Sequence, residues 1–473
     1  MQSCRHLLYT LADVTVDPSI TVITPFFETG NVFERTHLSL LGQSFQQWEW
    51  IIVNDASSDA LSIAILASIR DADPRIRVVD QPERCGPSAA RNLAAKMARA
   101  PHLFFLDSDD LIEPTTLEKL LWCLESHPEW AMCKGYTHAF EGQSYISTAG
   151  FEDAWLFLDR NPVTLTALVR REVFVAVGGF DATMRNGLED WDLWLRFASH
   201  GYWGHTVPEV LDWYRRRPSH ADRWSLWTNS GINRVRRELM RKYSHLFRRG
   251  PIYIPEHPFE MDKSLCEDIP LFNDLVPERR VLLLLPSTRT LSVVDPELLI
   301  LDSPLTVVVL GSSEPSAPSP WPFSKSEFFT LAHFLHLDRY LCFLLYLMRS
   351  RKFDRVVIWD CSLTLKLVPL LMWYNPRVSF EKYDSRGTQL LSQTEIGESL
   401  QNHNLVKTLA SQAVIDCAEQ LLLQHPAKTI RCGAPNLQRL GVFGVWLFLL
   451  KERLLAWGRW LWEILGGVKG RDK

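Results

Sequence analysis

Long apolar runs are the first thing the sequence lacks. No stretch reaches the roughly 18 consecutive apolar residues that a membrane-spanning helix needs. The nearest, RYLCFLLYLM (339–348) and LGVFGVWLFLL (440–450), are both short. The opening MQSCRHLLYTLADVTVDPS carries no apolar h-region and no cleavage signal, so no secretory leader is expected. Nine cysteines are scattered without a C-x-x-C pair, the pattern of reduced thiols in a cytosolic protein or on a cytosolic face. Excess positive charge is missing too: the formal net charge is -4, which argues against non-specific nucleic-acid partners. No G-x-G-x-x-G follows any predicted strand, which disfavours a dinucleotide oxidoreductase.

What is present describes an ordinary globular protein of more than one domain. The 473 residues exceed what one hydrophobic core usually organises, so two or three domains are expected. The first half alternates apolar strands with helical segments. SITVITPF (19–26) ends at a proline, WEWIIVNDASSDA runs into turn residues, IRVVD is short, and HLFFLDSDD is followed by a helix. Continuous apolar strands alternating with helices predict a mostly parallel sheet covered on both faces. Polar residues collect at the carboxyl ends of strands one, two and four, the edge where open α/β sheets bind ligands.

The predicted boundaries are an extension over 1–18, a first α/β domain over 19–225, a helical and Pro-rich connector over 226–278, a second Rossmann-like domain over 279–440, and a Trp/Leu-rich amphipathic helix over 441–473. That last segment reads either as a helix packed on its own domain or as one lying on a membrane surface.

The most pointed feature is PHLFFLDSDDLIEP, three aspartates in four positions behind an apolar run. In extended backbone Asp107 and Asp109 share one side of the strand, with Ser108 and Asp110 on the other. Two carboxylates held together repel, and a hard divalent cation with oxygen ligands, Mg²⁺ or Mn²⁺, relieves that. The competing reading is a solvated turn capping the next helix.

Four passages in order carry a resemblance: ITVITPFFETGNVFERTHLSLLGQSFQQWEWIIVNDASSD, GPSAARNLAAKMARAPHLFFLDSDD, VGGFD and LEDWDLWLRFASHG. Together they resemble the family-2 inverting glycosyltransferases of the GT-A fold. The resemblance implies a nucleoside-diphosphate sugar donor. With the cysteine pattern, the expected location is cytoplasmic or at the cytoplasmic face of a membrane. By the same resemblance Thr24, Pro25 and Phe26 line the nucleotide pocket, Asp55 contacts the base, Arg91 lies near the diphosphate, and Ser108 belongs to the nucleotide-binding stretch. Asp109 and Asp107 would hold Mn²⁺ or Mg²⁺, with Asp107 alternatively meeting the ribose. Asp190, the second carboxylate of the ED pair, would be the catalytic base, while Glu189 and Asp192 read equally as acids favoured at a helix start. Trp191 would border the acceptor or belong to the core. Arg217 and His220 fall where a late basic segment closes over the diphosphate.

An N–H-accepting Asp55 favours a UDP or dTDP donor. The acceptor would be a saccharide or lipid-linked saccharide hydroxyl in polysaccharide or glycan synthesis, with peripheral membrane contact through the C-terminal helix. The stretch from RRVLLLLPSTRT onward is similar to the acceptor-side half of GT-B glycosyltransferases, but lacks their glycine-rich loop and the nucleotide-binding half. Two other function classes stand beside this one. A nucleotidyltransferase would show a glycine-rich basic loop after the first strand, which TPFFETGN is not. A non-catalytic nucleotide-sugar-binding or scaffold protein would have lost the carboxylates retained here.

Overall fold

The computed structural model describes residues 17–184, 187–217, 229–249, 280–287, 305–311, 327–351, 353–359, 368, 371, 375, 378–384 and 387–390. The chain divides into two compact units, Met1–Cys417 and Ala418–Lys473, and every described residue belongs to the first. The predicted C-terminal helix and residues 1–16 of the predicted extension therefore lie outside the described residues.

The amino-terminal sheet begins as the sequence predicts. Strand β1 (Ile20–Phe26), helix α1 (Val32–Leu41), β2 (Trp48–Asn54), α2 (Ala60–Arg70), β3 (Ile76–Asp80), α3 (Pro87–Met97) and β4 (His102–Phe105) alternate along the chain. β1 and β2 are buried at nearly every position because helices cover both faces, which is why their sequences do not alternate. β3, β2, β1 and β4 are parallel, in that order, and Phe26, Asn54 and Asp80 line up in register at one edge. Asp59 caps α2, its carboxylate accepting from the Ser62 amide at 2.8 Å.

Beyond β4 the expectation of a mostly parallel sheet fails. The chain continues through β5 (Leu111–Ile112), α4 (Thr116–Ser126), β6 (Met132–Glu141), β7 (Tyr145–Ser147), β8 (Leu168–Arg170), α5 (Arg171–Ala176), α6 (Glu189–Ser199) and β9 (Gly204–Arg216). The sheet order is β3-β2-β1-β4-β8-β6-β9-β5, with β7 paired to β6. β8 runs antiparallel to both of its neighbours, β7 to β6 and β5 to β9, while β6 and β9 are parallel. The first four strands are joined in succession by single helices, the crossovers that parallel pairing requires. After β4 the connections are mixed: α4 lies between β5 and β6, no α-helix separates β6, β7 and β8, and α5 and α6 lie between β8 and β9.

The core of this half is aromatic. Phe151, Phe157, Trp194 and Trp203 meet mostly edge-to-face, with centroids 5.0–5.8 Å apart. Helix α7 (Asn229–Lys242), in the predicted connector, places Val235 and Leu239 in the same core, joined by Tyr243 just before α8 (Ser244–Arg249).

The second sheet comprises β10 (Arg280–Leu285), β11 (Leu305–Val309), β12 (Glu327–Thr330), β13 (Phe353–Trp359), β14 (Ser379–Asp384) and β15 (Gly387–Leu390), ordered β12-β11-β10-β13-β14-β15. All neighbours are parallel except the last pair. It is a separate α/β domain. Its helix α9 (Tyr340–Ser350) packs on α4 of the first sheet, with the Phe343 and Tyr346 rings each 5.2 Å from Trp122. That contact explains why RYLCFLLYLM is apolar on nearly every side: it is a helix buried between two layers. Burying each such large side chain contributes on the order of 1.5–3 kcal/mol.

Charges are buried at the same junction. Arg351 donates to Glu118 at 2.6 Å and to Glu327 at 2.7 Å, all three side chains being buried. Lys119 and His333 both reach Glu209, at 2.5 and 2.7 Å.

Candidate active site

The carboxyl edge of β1, β2 and β4 gathers most of the predicted residues. The acidic cluster is a turn and not an extension of β4: the Asp110 amide donates to the Asp107 carbonyl at 3.3 Å. This corrects the strand alternation expected for Asp107 and Asp109. Their charges are nonetheless close enough to interact, for burial first and Asp107 second push the Asp109 carboxyl above its ordinary range. Asp110 faces inward and accepts from the Arg215 amide at 2.8 Å, pinning the end of β9 beneath the turn. Burial, followed by the charges of Asp109 and Asp107, raises its carboxyl well above the usual range. Ser108 exchanges a hydrogen bond with the Thr29 hydroxyl at 2.7 Å, and its carbonyl accepts from Thr36 at 3.1 Å. The turn is thus tied to α1 on one side and to β9 on the other.

Arg91, on α3, is fully enclosed. It donates from Nη2 to Asp107 Oδ1 at 2.6 Å and from Nη1 to Glu189 Oε1 at 2.8 Å. Burial works against its charge, but Asp107 and Glu189 outweigh that and hold the guanidinium protonated beyond its ordinary range. In this structure Arg91 is a bridge between two carboxylates, where the resemblance led us to expect a diphosphate contact. The neighbouring Asn92 pins the Gly-Gly-Phe turn, accepting from the Phe180 amide at 2.9 Å and donating to its carbonyl at 2.8 Å. Gly178 and Gly179 both take positive φ, +87° and +69°, a backbone that side chains disfavour.

Asp190 stands at the start of α6, next to Glu189. Its Oδ2 accepts from Asn161 Nδ2 at 2.6 Å, and its Oδ1 accepts from the Trp191 amide at 2.8 Å. Burial, then the Glu189 charge, pushes its carboxyl up to about 7, with Arg91 pulling the other way.

The remaining predicted residues do other things. Thr24 is buried and accepts from Trp50 Nε1 at 2.8 Å, and the fully buried Phe26 packs edge-on against Phe33 at 4.9 Å. Both side chains are core, whereas Pro25 between them is half-buried. Asp55 accepts from the amides of Cys85 and Gly86 at 2.7 and 2.8 Å, so in this structure it orders the loop before α3. Trp191 is core, donating to the Phe157 carbonyl at 2.7 Å. Asp192 is buried between Arg196, Lys242 and Tyr243 and fastens α6 to α7. Arg217 Nη2 approaches Asp109 Oδ2 at 3.3 Å, and His220 lies outside the described residues.

Sequence reasoning missed a buried polar set beside Asp190. Lys134 Nζ donates to Thr137 and Thr164 at 3.1 and 3.0 Å, and Thr164 donates to Asp212 at 3.4 Å. Burial pulls the Lys134 ammonium down and raises the Asp212 carboxyl to about 6. A lone Lys within the otherwise apolar start of β6 was the available signal.

Asp107 and Asp109 suit a divalent cation. Each carboxylate has roughly four acceptor sites, and burial, followed by the Asp107 charge, disfavours an ionised Asp109, a cost that a bound cation would relieve. Oxygen donors of this kind match Mg²⁺ or Mn²⁺.

The model of glycosyl transferase family 2 matches residues 21–243. An uncharacterized glycosyltransferase of Haemophilus influenzae is 39% identical over 111 residues, covering 23% of this chain and 44% of that protein. The putative teichuronic acid biosynthesis glycosyltransferase TuaG of Bacillus subtilis is 30% identical over 214 residues, covering 42% of this chain and 79% of that protein. The crystal structure of S. aureus TarS 1-349 in complex with UDP-GlcNAc aligns at a TM-score of 0.42 and 18% identity, over 49% of this chain and 67% of that one. The sequence match to most of TuaG, together with the family model over residues 21–243, shows that this chain belongs to glycosyl transferase family 2.

Proposed function

We propose that the chain transfers a sugar from a nucleoside-diphosphate sugar to a saccharide or lipid-linked saccharide hydroxyl, with inversion at the anomeric carbon. One observation carries this reading: Arg91 ties the acidic turn that would face the diphosphate to the helix start that presents Asp190. A metal-binding side and a proton-accepting side are thereby held at a fixed separation.

In this reading Asp190 removes the proton of the acceptor hydroxyl as its oxygen bonds to the anomeric carbon. The bond from that carbon to the β-phosphate oxygen breaks, and the nucleoside diphosphate leaves from the opposite face. A carboxyl near 7 suits this task, being largely ionised just above neutrality yet basic enough to take a proton. Asp107 and Asp109 would hold Mn²⁺ or Mg²⁺, which when bound neutralises the charge on the leaving diphosphate. The second α/β domain is assigned to acceptor binding or docking. The donor base would be uracil or thymine, and the acceptor a growing polysaccharide or glycan.

The test is nucleoside diphosphate release from a panel of UDP- and dTDP-sugars with Mn²⁺, Mg²⁺ or chelator, followed by NMR of the anomeric product. Metal-dependent release from one donor, with inverted product, is expected. Folded protein that neither binds nor turns over any donor would overturn the reading in favour of a scaffold.

A further inference from the structure

A second cluster of ligating groups lies away from this edge, where the two sheets meet. His127 and Glu129 sit in the turn between α4 and β6 of the first sheet, and His336 follows β12 of the second. One ligand atom from each falls within 4.8 Å of the others. The His127 and His336 rings are 4.1 Å apart, and His336 Nε2 lies 3.9 Å from Glu129 Oε1. Among the described residues this is the sole group of three such side chains so close together.

The surroundings favour a cation over a chance meeting of side chains. His127 Nδ1 lies 2.8 Å from the Cys123 carbonyl, which can only accept, so the proton is on Nδ1 and the lone pair on Nε2. A carbonyl fixing one ring nitrogen is the usual second layer behind a metal-bound imidazole. The His336 amide donates to Ser126 Oγ at 2.9 Å, anchoring that segment on the first sheet. His205 stacks on His127 at 5.5 Å and carries its own carboxylate partner, Glu152, at 2.9 Å. Its charge is therefore matched locally.

We propose that His127, His336 and Glu129 form a binding site for a divalent transition metal, Zn²⁺ by ligand type, that fastens the second α/β domain to the first. Two imidazoles and one carboxylate are a common zinc set, with water in the fourth position. Ligands about 2.1 Å from a tetrahedral ion lie about 3.4 Å apart, so the side chains must close slightly. His336 and Glu129, at 55% and 34% exposure, have room to do so. The site is independent of sugar transfer.

The experiment is zinc competition against a chelating dye with the full chain, alongside thermal unfolding with and without Zn²⁺. Wild type should bind one zinc per chain tightly, and Asp109→Ala should bind it equally well. His336→Ala, a change at an exposed position, should weaken zinc at least 100-fold and abolish the zinc-dependent rise in Tm. Co²⁺ loading should give the visible absorption of a tetrahedral N/O site in wild type and Asp109→Ala, and not in His336→Ala. Equal zinc affinity in wild type and His336→Ala, or no zinc bound by folded wild type, would overturn the proposal.

Discussion

Arg91 Nη1 lies 2.8 Å from Glu189 Oε1, joining the third helix of the first sheet to the residue just before the proposed base. The same guanidinium holds Asp107, so one buried cation sets the spacing between the two sides of the site.

Arg91→Met removes the shared partner of two carboxylates. Breaking a buried ion pair this way typically costs about 3–5 kcal/mol, and urea unfolding should register a loss on that scale together with loss of transfer. Glu189→Gln keeps a hydrogen-bond acceptor for Arg91 and should cost less. Equal stability in wild type and Arg91→Met would show that the bridge is not maintained in solution.

The pH profile of transfer follows from Asp190. Its carboxyl stands at about 7 in the fold, so kcat/KM should rise with pH and level off above that value. Asp190→Asn should reduce transfer by about 10²–10⁴-fold while donor binding survives. Stability carries the opposite sign. The fold favours the protonated acid, so this contribution is complete below the ordinary 3.8 and is lost as pH rises through about 7. Asp190→Asn should flatten that slope in a series of denaturation curves.

Asp109→Ala should abolish the Mn²⁺ dependence of nucleoside diphosphate binding measured by calorimetry. Binding that stays tight and equally metal-dependent would remove Asp109 from the ligand set. Asp110→Asn, beneath the turn, should leave the metal dependence in place, because that carboxylate faces the Arg215 amide.

At the junction of the sheets, Arg351→Ala should destabilise the chain by about 3–5 kcal/mol, since Glu118 and Glu327 would both stay buried without their partner. Adding Glu118→Gln to that variant should recover part of the loss. Recovery absent from the double variant would mean that Arg351 acts through packing alone.

Much of the donor-side framework was legible because it obeys local rules. β1, β2 and β4 are mostly apolar runs closed by polar residues, and that pattern predicts their parallel pairing. The reversal of β8 was not legible, since it depends on the irregular stretch after β7. Asp107 to Asp110 were singled out by residue type but misjudged in shape, because a strand and a tight turn share the same preceding apolar run. Arg91 was singled out by position, yet its partners could not be read: Glu189 is 98 residues away and reaches it only through tertiary packing. Lys134 and Asp212 escaped notice for the same reason, since Thr164, which both meet, is 30 residues from one and 48 from the other.

The Arg351–Glu118 pair also sets where the polypeptide can be cut. The family match stops at residue 243, the natural place to end a shorter version for expression. Such a piece would still contain the whole acidic turn and Asp190. It would also bare Trp122 to water and leave Glu118 without Arg351 and Glu209 without His333. A sticky surface on α4 would result, and insolubility of that fragment would report the missing second sheet and not a defect in the first.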